Sequence, residues 1–118
     1  MTEAVYEITA AADPAFAATL RTFVRGSGER LELGPGDVED LMLITTELLA
    51  NAVEAGAQRV HLALGADEQG WLLRADGVGG FRDDPEAAVS RADILHGLAE
   101  FTWTAETLVV RPRASVDS

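Results

Sequence analysis

Apolar positions along the chain change period, and each change marks an element. Val5 to Thr9 alternates weakly, which predicts a short strand. Asp13-Pro14 then reads as a helix opening: a capping carboxylate followed by a ring whose φ already suits the first helical position. Phe16, Leu20, Phe23 and Val24 recur at i, i+4, i+7 and i+8, an amphipathic stripe that puts Phe16 and Phe23 in the core and ends at Gly26. Gly34-Pro35-Gly36 breaks the chain, Asp37 is the expected N-cap, and Val38 to Ala55 reads as a long central helix closed by Gly56 at C′.

After Gly56 the period falls to two. Val60, Leu62 and Leu64 alternate with His61 and Ala63, a half-buried strand; Asp67 to Gly70 is a turn, and Trp71 to Ala75 returns. Asp76-Gly77-Val78-Gly79-Gly80 does not continue a sheet comfortably. Asp84-Pro85 opens another helical stretch with Ala92, Leu95 and Leu98 on one stripe, and Phe101 to Thr104 with Thr107 to Arg111 reads as a closing hairpin. Trp71 and Trp103 are expected as anchors of the sheet core. This order predicts an α+β two-layer sandwich with a mostly antiparallel sheet and helices on one face.

Composition narrows the class. At 118 residues one domain over 1–118 is expected, with a polar tail from about 113. Twenty acidic and nine basic residues, every base an arginine, give a formal charge of −11, and the 47% hydrophobic share is that of a globular chain. Strong acidity without a basic cluster argues against direct nucleic-acid binding. The longest apolar run, Leu41 to Ile44, is far below the ~20 residues of a membrane span, and the first twenty residues lack the pattern of a signal peptide, so a cytoplasmic location is expected. Zero cysteines excludes disulfides, thiolate zinc and thiol catalysis. His61 and His96, each without a neighbouring His or Cys, are expected as ordinary exposed or partly buried side chains, and the acidic cluster Glu29, Glu32, Asp37, Glu39 and Asp40 as a solvated face able to steer a basic partner.

Within the apolar central helix, Asp40, Glu47, Asn51 and Glu54 are spaced by seven, four and three and share one narrow stripe. The stripe is either the solvent side of a buried helix or the wall of a cavity. Asn is a poor helix former, about 0.6 kcal/mol worse than Ala, so its use mid-helix asks for a reason. Its amide oxygen suits magnesium, and Glu47, one turn earlier, would then stand near a metal-bound phosphate as a general base.

The segment from Glu47 to Gly56, Glu-x-x-x-Asn-Ala followed by glycine, two strands and an Asp-Gly loop, resembles the N box of the GHKL (Bergerat-fold) ATPases, and within them the anti-sigma regulatory factors that are serine-protein kinases in bacterial partner switching. The resemblance extends from about Val5 to Pro112. It implies a histidine-kinase-like ATPase domain that binds ATP and Mg2+, with Asn51 as the metal ligand and Glu47 as the base that activates a target serine. Asp76 would accept the adenine amino group and Gly80 would let the backbone approach the nucleotide, with Gly77 and Gly79 restoring the turn of the nucleotide-binding loop by a one-residue shift. It also implies a sigma factor or an anti-sigma-factor antagonist as partner, and a homodimer.

Departures accompany it. Asp-x-Gly-x-Gly has become Asp76-Gly77-Val78-Gly79-Gly80, and Arg74 shares a strand face with Asp76, where its guanidinium would compete with adenine. Val89, Ser90 and Arg91 stand where a second glycine box is expected, leaving Arg82 and Arg91 as substitute phosphate cations. Two functions from different classes follow: a Mg-ATP-dependent protein kinase, or a nucleotide-free interaction module on the same scaffold.

Overall fold

The computed structural model describes residues 5–78, 99–104 and 107–112. Its elements are β1 (Tyr6–Ala11), a single 3-10 turn (Pro14–Phe16), α1 (Ala17–Arg30), α2 (Pro35–Glu54), β2 (Arg59–Asp67), β3 (Gly70–Asp76), β4 (Ala99–Thr104) and β5 (Thr107–Pro112). The five strands form one sheet in the order β1-β2-β3-β5-β4, antiparallel at every pairing. Together with the two helices against one face, this is an α+β two-layer sandwich. The helix expected between Asp84 and Leu98 lies outside the described residues.

The core is the contact of two periodicities. From α2, Leu41, Ile44, Leu48 and Ala52 are fully buried; from the sheet, Leu62, Leu64, Leu73, Ala75, Leu108 and Val110 alternate inward to meet them. Trp71, buried as expected, joins this layer, while the Trp103 side chain lies outside the described residues. Each buried Leu or Ile contributes about 1.5–3 kcal/mol relative to exposure. Leu20 and Val24 of α1 complete the core, and the Arg30 guanidinium lies 6.0 Å from the centre of the Tyr6 ring on β1.

Three local expectations are corrected. Phe16 is 37% exposed, because it sits in the 3-10 turn, ahead of the α-helix whose phase carries Leu20 and Val24 inward. The first helix also passes through Gly26 and stops at Arg30. Its end is a Schellman turn: Leu33 N–H donates to the Gly28 carbonyl and Glu32 N–H to that of Glu29, with Glu32 at φ 60 in the position usually given to glycine. Gly28 serves packing, since a Cβ there would stand 2.9 Å from Val38 Cγ2 of α2. Finally, α2 begins at Pro35 with Gly34 as N-cap, which moves Asp37 into the first turn, where a carboxylate favours the helix dipole. At the other end Gly56, at φ 75, takes the C′ place as expected, its N–H donating to Val53 and that of Ala57 to Ala52.

The turn after β3 depends on Gly77. Its φ is +86, and a Cβ there would lie 2.1 Å from the Arg59 carbonyl oxygen. This close crossing carries the chain from outward-facing Asp76 to Val78, which is fully buried. Gly77→Ala is expected to lower stability by at least about 2 kcal/mol, a fall in Tm on the order of 10 °C. Gly26→Ala, with nothing near its added Cβ, should raise stability by about 0.5–1 kcal/mol. Thermal and urea unfolding of the two variants check both signs.

Candidate functional site

The polar stripe of α2 runs along the border of its buried face. Asn51 is 3% exposed, Asp40 and Glu47 are half-buried, and Glu54 is exposed. The Asn51 Nδ2 donates to the Glu47 carbonyl at 3.1 Å; a carbonyl only accepts, so the amide oxygen is the end turned away from its own helix. The stripe is therefore neither a plain solvent face nor part of the apolar core.

Asp76 stands elsewhere. Strand register pairs it with His61, and both belong to the sheet face that the helices do not cover, whereas Leu73 and Ala75 point to α2. The Thr107 hydroxyl donates to Asp76 Oδ1. The structure thus keeps Glu47 and Asn51 together on the helix layer and separates Asp76 from them by the sheet itself. Gly77 is engaged in the crossing over Arg59. Gly79, Gly80, Arg82 and Arg91, together with the degenerate second box, lie outside the described residues, as does His96. No group of three or more His, Asp or Glu side chains among the described residues is arranged to hold a metal ion. On the helix side the stripe brings Glu47 and Asn51 within one turn of each other, and β3 adds no carboxylate there.

The uncovered face carries a cluster that the sequence did not announce. One transverse row runs Glu7, Ala63, Arg74 and Val109; the next runs Thr9, His61 and Asp76. His61 ties β1 to β2: its Nδ1 lies 2.6 Å from Thr9 Oγ1 and its Nε2 2.9 Å from Glu7 Oε1. The carboxylate can only accept, so Nε2 carries a proton, and in the neutral ring Nδ1 takes the Thr9 hydroxyl hydrogen. Glu7 leans diagonally to His61, leaving a hollow of about 510 Å3 above Ala63. Arg74 lines that hollow, and Asp76 bonds Thr107 in place of it. Thr9 and Glu7 are 52 and 54 residues from His61, so only antiparallel register brings them together. The alternate positions of two predicted strands were the only available signal.

Among the described residues two carboxylates titrate away from the usual range, in opposite directions. Burial, and after it repulsion from Asp37 and Glu39, raises Asp40. Asp67 is lowered, first by the Gln69 backbone N–H and then by Arg111, whose Nη1 lies 3.1 Å from Oδ2.

No family model matches the chain, and no curated protein matches it.

The two shifts make opposite predictions. A raised carboxyl pKa means that ionised Asp40 opposes folding at neutral pH, an effect relieved as pH falls through its folded value. Asp40→Asn should therefore raise Tm at neutral pH and lose that advantage near the ordinary value of 3.8. The lowered Asp67 favours folding above 3.8 and loses this as pH falls through its folded value, so Asp67→Asn should lower Tm at neutral pH and converge with the parent in acid. Melting curves across that pH range check both.

Proposed function

We propose that this chain is a regulatory domain that acts by binding a partner protein, built on a scaffold like that of the GHKL anti-sigma factors but without their adenine-reading carboxylate. The observation that carries it is the outward course of Asp76. The residue that would read adenine is bonded to Thr107 on one side of the sheet, and Asn51 is buried on the other. Gly77 supports the same view, since its left-handed backbone answers the need of a strand crossing and not of a nucleotide. By the resemblance, the partner is a sigma factor or an anti-sigma-factor antagonist in the cytoplasm. No helix among the described residues is long and apolar enough to cross a membrane.

A second function has its own support in Glu47 and Asn51. A half-buried carboxylate and a buried amide one helical turn apart are the pair that would hold Mg2+ on a triphosphate and take the proton of a serine hydroxyl. In that case the chain is a Mg-ATP-dependent serine-protein kinase, with the metal supplying charge neutralisation at the phosphates.

Thermal unfolding with millimolar ATP or ADP plus Mg2+ separates the two. A ligand at 100 times its Kd stabilises a fold by about 2.7 kcal/mol, several degrees in a domain of this size. The interaction domain should show no shift. A shift that Asn51→Ala abolishes would overturn it in favour of the kinase, and phosphotransfer lost in Glu47→Ala with binding retained would then identify the base.

A further inference from the structure

We infer that the groove between α1 and α2 is the surface on which the partner docks, and that its occupant is a basic amphipathic segment. The inference rests on the proposal that the chain works by binding a protein, and it names where and with what chemistry.

The groove has a volume of about 510 Å3 and an apolar floor made by Leu33, Pro35, Val38 and Met42. It exists because of the connection between the helices. The Schellman turn at Glu32 folds Leu33 back toward α1, Pro35 starts α2 beside it, and Gly28 brings the two helices together at Val38. Glu29 and Glu39 line the groove, with Arg25 as the single cation of the lining. Glu32, Asp37 and Asp40 belong to the same helix ends, so five carboxylates stand here against the one guanidinium of Arg25. None of Glu29, Glu32, Asp37 and Glu39 forms an ion pair among the described residues. Burial first, and after it repulsion from Asp37 and Glu39, makes Asp40 resist ionisation. One turn beyond Glu39, Leu43 is 40% exposed and extends the apolar surface along α2.

An apolar floor under a rim of unpaired carboxylates selects its complement. An amphipathic helix presents apolar anchors at i, i+3 or i+4 and i+7 to a floor of this kind. Lysine or arginine between those anchors would relieve the repulsion around Asp40 and speed encounter with a chain of charge −11. An acidic segment would meet like charge on both sides.

The test uses the full chain and a fluorescein-labelled peptide of roughly four helical turns, leucine at helical spacing with lysine elsewhere, beside a counterpart with glutamate for lysine. Fluorescence anisotropy should show capture of the lysine peptide alone. Glu39→Arg and Met42→Ser should each weaken capture at least about tenfold, as should raising ionic strength toward about 1 M, where screening shortens to about 3 Å. Glu68→Arg, on the β2–β3 turn, should change it little. Circular dichroism confirms that each variant is folded, and Glu39→Arg, at an exposed position, carries the decision if Met42→Ser is not. Equal loss in Glu68→Arg, capture of the glutamate peptide, or no capture at millimolar concentration overturns the inference. Nucleotide binding together with groove-dependent capture would overturn the interaction-only function and leave the groove standing; absence of both overturns the groove alone.

Discussion

The structure depends on one contact: the buried side of α2 lying across the inward rows of the sheet. A helix repeating near every fourth residue and strands repeating every second residue offer Leu41, Ile44, Leu48 and Ala52 to Leu62, Leu73, Ala75 and Leu108. The polar stripe of α2 and the outward course of Asp76 are positioned by where that contact stops. Asn51 is on its margin, half a step from the core, which is why an amide is buried there and a carboxylate one turn earlier is half-covered. Asp76 is on the far side because Ala75 is in it. A one-residue slip of β3 would exchange the two, and the buried Trp71, Leu73 and Ala75 forbid that slip.

The same alternation explains why the sheet has two chemically different faces. Inside, among the described side chains, are aliphatic residues and Trp71. Outside, small residues such as Ala63 and Val109 leave space between polar neighbours, and His61, Thr9, Glu7, Asp76 and Thr107 connect to each other across strands. Such cross-strand pairs contribute fractions of a kcal/mol each, and here they fasten edge strand β1 to its neighbour. Beside that polar face, the helical layer from Asp13 to Glu54 carries eight carboxylates against three arginines, next to the apolar hollow between its helices. The two surfaces therefore differ in what they can recognise: the sheet face is nearly balanced in charge, the helical face is not.

Glycine explains more of the architecture than its helix and strand propensities suggest. Gly28 allows the helices to touch, Gly56 ends α2, and Gly77 turns the chain past the Arg59 carbonyl into the core. The last of these falls within a glycine-rich stretch whose resemblance to a nucleotide loop is strongest at Asp76-Gly77. A steric requirement of the backbone accounts for Gly77 without any ligand, and the outward strand register accounts for Asp76.

Much of this was legible from residue order alone, because it follows from local periodicity. The alternation around Val60 and Trp71, the helical run through Leu48, the stop at Gly56 and the closing hairpin all follow from side-chain spacing and backbone dihedral preference, and those are local properties. So was the stripe of Asp40, Glu47, Asn51 and Glu54, which a helix makes at any location. What the order could not decide is which way a feature faces once layers are stacked. Phe16 falls outside the core because a 3-10 turn resets the helical phase. α1 continues through Gly26 because its last turn, at Ser27 and Gly28, is buried against α2. Asp76 is divided from Asn51, and Thr9 is joined to His61, by strand pairing between segments tens of residues apart. Facing and pairing at that distance are consequences of the packed core, and only the folded chain contains one.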